Sequence, residues 1–181
     1  MITSFFSWML LTLAVIQQTN LIPRNAARKL TWEDFKASPD PHSSNAALTS
    51  SSINIEFGYD DERLQYSIRC AFDKNRSWVR IRNSDVLAHE QGHFDIAEVF
   101  ARKLNQAMKE YHFNAKTVSK DVNDIYENMM NLHRQAQEQY DKETDYSRSK
   151  TRQEEWLKKI QQQLKDLADY AAYQATAKKD M

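Results

Sequence analysis

The chain is poor in the residues that cross-link and punctuate small folds: its 181 residues include Cys 1, Gly 2 and Pro 3. A lone cysteine, Cys70, cannot close a disulfide within the chain and excludes cysteine-rich zinc sites. So few glycines and prolines exclude a long, turn-rich β architecture. Neither sign of charge is in excess, with Lys+Arg 25 against Asp+Glu 25, so the basic face that a nucleic-acid partner requires is not expected. A run of ~20 apolar residues, the length needed to span a bilayer, is also missing. "FFSWMLLTLAVI" (Phe5 to Ile16) is uncharged and apolar but shorter, and it matches the apolar core of a secretory signal. Residues 1–22 therefore read as a signal peptide, or as an N-terminal anchor if left uncut. The expected location is extracytoplasmic, periplasmic or secreted, with no stable membrane span in the mature chain. No lipidation cysteine follows the run.

What remains is a soluble composition, 41% hydrophobic and 28% charged, with length enough for one domain with its own core. Residues 30–178 read as that domain. "SPDPHSSNAALTSSS" (Ser38 to Ser52) is a loop composition. It leads into "INIEFGY" and "LQYSIRCAF", which alternate apolar and polar residues as half-buried strands do, joined by the turn "DDE". "SWVRI" adds a short third strand, so strands are expected over about 53–81. From Ser84 the period becomes helical, with Ser84 as the expected N-cap. Phe94, Ala97, Ala101, Leu104 and Met108 form the apolar stripe of a first helix, about 85–111. A second runs over about 119–142 and a third over about 150–175. Strands first and helices after predict an α+β fold, a small antiparallel sheet followed by long helices.

The first helix carries "HEQGHFDIAE" (His89 to Glu98). Residues four apart share a helix face, so the His89 and His93 imidazoles can reach one zinc ion. Glu90 flanks that face and is the candidate general base, taking a proton from the water that the metal activates and passing it to a leaving amine. Gly92 inside a helix costs about 1 kcal/mol against alanine and points to a close approach by another backbone or a substrate strand. A catalytic zinc needs a third protein ligand. Extended metalloprotease motifs place a histidine six residues after the second, following a glycine. Those positions are Val99 and Ile96 here, so that class is rejected. Asp95 and Glu98 follow His93 too closely to reach the same ion and read as helix-surface acids. The remaining candidates are His133, Asp141, Glu143, Asp145 and Tyr146. Tyr126 or Tyr140 is a candidate to stabilise an oxyanion.

"LTWEDFKASP" (Leu30 to Pro39), "SWV" (Ser77 to Val79), "HEQGHFDIAEVFARKL" (His89 to Leu104), and "YDKETDYS" (Tyr140 to Ser147) followed by Trp156 resemble the DUF922 family. Its members are uncharacterised bacterial proteins predicted to be secreted zinc-dependent proteases. The resemblance implies a signal peptide, a zincin-like fold with an HExxH active-site helix, and zinc as cofactor. Similar proteins tend to read Tyr-Asp-x-x-Thr-x-His, and this chain has Tyr146 at the histidine position. The resemblance therefore puts the third ligand at Tyr146, with Asp145 and Glu143 as alternatives. A tyrosine oxygen must first lose a proton whose reference pKa is about 10. The implied function is a secreted zinc metallopeptidase acting on a peptide or protein substrate. The alternative is a non-catalytic extracytoplasmic binding protein with a degenerate metal site.

Overall fold

The computed structural model describes residues 20–24 and 28–178. The apolar run Phe5–Ile16 lies outside these residues. The expected leader boundary at residue 22 falls inside a strand, β1 (Leu21–Pro23), which pairs with the sheet. The remaining strands are β2 (Ala47–Leu48), β3 (Ser51–Tyr59), β4 (Arg63–Asp73), β5 (Trp78–Val79) and β6 (Gln174–Lys178). Three long helices follow β5 among the described residues: α1 (Ser84–Glu110), α2 (Val118–Glu143) and α3 (Lys150–Asp166). The molecule is α+β, with a small antiparallel sheet packed on the helices. No helix among the described residues is long and apolar enough to cross a membrane.

The β3–β4 hairpin is the framework of the sheet, in register from Ser51↔Phe72 to Tyr59↔Leu64. Its turn forms because Asp60 Oδ1 accepts from the backbone N–H groups of Glu62 and Arg63. β1 and β6 share the other edge of β4, β1 pairing near its end and β6 near its start. The alternation of β4 puts Leu64, Tyr66, Ile68, Cys70 and Phe72 on the buried face against α1. Fully burying side chains such as Leu64 and Phe72 stabilises the sheet-to-helix contact by about 1.5–3 kcal/mol each. β2 and β5 form a separate two-stranded ribbon beside the start of α1.

α1 is buried on most of its circumference, because the sheet covers one side and α2 and α3 cover the others. Its N-cap is Asn83 rather than Ser84, with Asn83 Oδ1 accepting from Val86 N–H at 2.8 Å. Its immersion overturns the expectation for two acids. Asp95 and Glu98 are buried, not on the helix surface. Arg24 meets Asp95 at 2.8 Å and Gln91 and Gln161 donate to it, while Arg102 meets Glu98 at 2.8 Å. The third helix also stops earlier than its expected end at 175. α3 ends at Asp166, a 3-10 turn follows at Ala168–Tyr170, and the chain then enters β6. Asn105 explains the break. It is wholly buried, and its amide donates to the carbonyls of Tyr170 and Ala172, which drop out of a helical ladder to reach it.

Candidate metal centre

α1 presents His89 and His93 one turn apart on the face that meets α2. α2 replies with His133, Gln137 and Asp141, which repeat every fourth residue and so share a face of their own. Nε2 of His89 and Nε2 of His93 each lie 3.0 Å from Oδ1 of Asp141 and 3.1 Å from one another. Three ligands held at 2.0–2.1 Å around one tetrahedral ion stand about 3.3 Å apart. The observed triangle is that size, slightly contracted, and this His89–His93–Asp141 group could hold a metal ion.

The surrounding hydrogen bonds decide which atoms fill the triangle. Gln137 Oε1 lies 2.6 Å from His93 Nδ1 and can only accept there, so Nδ1 carries the proton. The other end of the amide fixes its orientation. Gln137 Nε2 donates to the His93 backbone carbonyl at 3.0 Å and to His133 Nε2 at 2.8 Å. A flipped amide would set its oxygen against that carbonyl. His133 suits this accepting role because burial, helped by the nearby charge of His93, pushes its pKa down to about 4. His89 Nδ1 faces Thr144 Oγ1 at 3.5 Å. That hydroxyl gives its own proton to the Tyr140 carbonyl at 2.6 Å, so toward the ring it accepts. Both imidazoles thus aim bare Nε2 lone pairs at the Asp141 carboxylate. Three acceptors in contact repel unless a cation, either a metal ion or an added proton, lies among them.

The titration directions express the same demand. Burial opposes the charged form of His93, but the hydrogen bond to Asp141 and the charges of Glu90 and Asp141 outweigh it and hold its pKa above the ordinary value. Burial alone would raise the Asp141 carboxyl, yet the hydrogen bonds to His89 and His93 hold it well below the usual carboxylate range. Glu90 is 3% exposed, and its Oε2 has no hydrogen-bond partner among the described residues. A buried acceptor without a partner is a place for a water molecule.

Tyr140 holds the imidazoles in place. Its ring stacks on His89 with centroids 4.6 Å apart and meets His93 edge-on at 5.0 Å. It occupies the space that Gly92 leaves: a Cβ on Gly92 would lie 2.3 Å from the Tyr140 hydroxyl. The close approach expected at Gly92 is therefore by this side chain, not by a backbone or a substrate strand. Tyr140 is wholly buried with its hydroxyl 3.4 Å from the His89 carbonyl, and Tyr126 donates to the Ile53 carbonyl at 2.8 Å. Neither hydroxyl is free to stabilise an oxyanion.

The histidines, Glu90 and Asp141 open onto a cleft of about 500 Å³ whose opposite wall is the segment Asn45–Ser51, including β2. The structure brings Asp141 to the histidines and sends the residues after it elsewhere. Glu143 accepts from Trp156 Nε1 at 2.7 Å and from Gln139 at 2.7 Å. Asp145 is exposed and paired with Arg148 at 3.0 Å. Tyr146 lines the cleft mouth, half exposed, with the Arg148 guanidinium over its ring. None of these three joins the His89–His93–Asp141 group. His133 sits one step behind it, and His42 and His112 are exposed. Sequence reasoning missed Gln137, Thr144 and Tyr140 as supports. The signal that could have found Gln137 is the four-residue spacing of His133, Gln137 and Asp141.

A family model described as bacterial protein of unknown function (DUF922) matches residues 15–149. No curated protein and no solved structure matches the chain.

Proposed function

We propose, for a chain that belongs to the bacterial DUF922 family, a zinc-dependent metallopeptidase of zincin-like architecture that acts outside the cytoplasm. One observation carries this reading: two imidazole nitrogens and a carboxylate oxygen converge within 3.1 Å of one another, beside a buried Glu90 oxygen that has no partner. His89 Nε2, His93 Nε2 and Asp141 Oδ1 are the atoms that would hold the ion, which makes Asp141 the third ligand in place of Tyr146. Two imidazoles and one carboxylate suit zinc and leave its fourth position for solvent or substrate. A zinc ion bound there would lower the pKa of an adjacent water toward ~7 and polarise the carbonyl under attack.

The remaining work belongs to the chain. Glu90 Oε2 takes a proton from the water as its oxygen bonds to the carbonyl carbon. The C–N bond then breaks, and Glu90 returns the proton to the departing amine. Water is added across the amide and nothing else is consumed. Gln137 and Thr144 each face an Nδ1 as acceptors and so favour the tautomer that turns Nε2 toward the ion. The outer edge of β2 carries no strand among the described residues and faces this cleft, so an extended substrate adds to it as a further strand. The extracytoplasmic location is supported by the apolar run Phe5–Ile16. A leader removed ahead of Leu21 leaves β1 and its pairing in place.

Elemental analysis of the purified protein tests the metal, and a Glu90→Gln variant tests the chemistry. The expected results are stoichiometric zinc in both proteins and cleavage of a mixed peptide library by the wild type alone. Absence of bound metal at neutral pH would sink the reading. Full activity in Glu90→Gln would remove its general base.

A further inference from the structure

The metal cleft does not end at the histidines. A second cavity of about 510 Å³ adjoins it, and Asn45, Ala46, Val86, Tyr146 and Ser147 line both. Together they form one trough from His89 and His93 to Ile81, Arg148 and Lys150, with Tyr146 where the two halves meet. The exposed large hydrophobic side chains among the described residues are Leu48, Tyr59, Ile81, Leu132 and Tyr146, and Leu48, Ile81 and Tyr146 line this trough. Scattered exposed apolar residues need no explanation, but ones gathered along a single groove mark a binding surface.

The backbone supplies an independent observation at the same place. Asp145, Tyr146 and Ser147 have φ of 48°, 52° and 74°, and they are the non-glycine residues with positive φ among those described. This region is costly for residues that carry a Cβ, and such outliers gather at functional sites. The fold holds the turn in place: Tyr146 N–H bonds to the Asp141 carbonyl at 2.9 Å and Ser149 N–H to the Thr144 carbonyl at 2.9 Å. Its consequence is a Tyr146 ring 48% exposed beside the site instead of folded into the core.

We propose that Tyr146 determines specificity: the trough takes an extended peptide segment, and Tyr146, with Leu48 and Ile81, receives a large aliphatic or aromatic side chain next to the bond that is cut. This rests on the peptidase reading given above. The substrate is then unfolded or flexible polypeptide, because a folded protein buries such side chains and an edge like that of β2 accepts an extended backbone. At the Tyr146 end of the trough each cation has a carboxylate beside it, Arg148 with Asp145 and Lys150 with Asp85.

Two matched sets of blocked decapeptides test this, identical except for Leu or Phe against Ser at one central position. With the zinc-loaded full chain, cuts located by mass spectrometry fall beside Leu or Phe, with kcat/KM about tenfold or more above the Ser set. In Tyr146→Ala that ratio falls toward one while zinc content is unchanged. Leu48→Ser, which leaves the left-handed turn untouched, lowers it as well. Cutting without preference, or a preference undiminished in both variants, overturns the proposal and leaves the peptidase reading standing. If the wild type cuts neither set, the peptidase reading fails and binding decides the trough. Fluorescence anisotropy on the zinc-loaded chain then still favours the Leu and Phe peptides and loses that preference in Tyr146→Ala. Equal or absent binding overturns the trough as well.

Discussion

Two buried polar clusters sit on α1 within a few turns of each other, and they solve the same problem differently. Around Asp95 and Glu98 the chain supplies its own countercharge, with Arg24 and Lys29 on the first and Arg102 on the second. Around His89, His93 and Asp141 it supplies only imidazoles, which carry charge only when protonated. Among the described residues no lysine or arginine pairs with Asp141, and Glu90 Oε2 is left without a partner. Burying uncompensated negative charge costs several kcal/mol, so a fold tolerates it where something else arrives to balance it. The first cluster is therefore cement between β1, α1 and α3. The second is the group that could hold a metal ion.

The comparison breaks most sharply at Asp95. Replacing it with alanine leaves Arg24 buried and unpaired, and we expect a loss of about 3–5 kcal/mol in denaturant unfolding, with metal per folded chain unchanged. Metal lost without destabilisation would show that the clusters have been assigned the wrong way round. Gly92→Ala comes next. The new Cβ meets the Tyr140 hydroxyl, and the crowding, about 1–3 kcal/mol, outweighs a helix-propensity gain of about 1 kcal/mol. Because Tyr140 stacks on His89, the variant should also bind zinc more weakly, whereas unaltered affinity would detach Tyr140 from the site. Gln137→Leu removes the acceptor that holds the proton on His93 Nδ1, and zinc affinity should fall about 10–100-fold in a chelator competition.

The smallest effect is that of pH. In the metal-free protein the pKa of His93 is raised, so its protonated form persists to higher pH than for an ordinary imidazole. A proton and a metal ion compete for the same Nε2, so apparent zinc affinity falls as pH drops, and the fall begins above the ordinary imidazole range. Calorimetry in buffers of different ionisation heat should detect protons released on binding just below that raised pKa. No release there would mean that His93 is already unprotonated before metal arrives.

The parts of this account legible in the sequence were those written in a local period. The β3–β4 hairpin followed from strict alternation, and the pairing of His89 with His93 followed from a four-residue step. The burial of Asp95 and Glu98 was not legible: Arg24, which pairs with Asp95, lies far away in sequence, and although Arg102 stands only four residues from Glu98, a local pattern cannot reveal what covers a helix. Asp141 was within the candidate set, but the favoured position was Tyr146, with Asp145 and Glu143 as alternatives, at and just past the end of α2. The chain instead uses three left-handed residues to turn away into α3, and the carboxylate that remains at the histidines is the one still on the helical face of His133 and Gln137. The end of α3 was hidden for a similar reason, since the acceptor geometry imposed by buried Asn105 overrides an otherwise helical stretch.

The central claim is that Asp141 completes a cation site with His89 and His93. Calorimetric titration of the full chain with zinc, run beside Asp141→Ala and Tyr146→Phe, tests it most directly. We predict one ion per wild-type chain, an affinity at least about 100-fold lower in Asp141→Ala, where a ligand is gone, and a near-wild-type affinity in Tyr146→Phe. The reverse pattern, with affinity kept in Asp141→Ala and lost in Tyr146→Phe, would contradict the account.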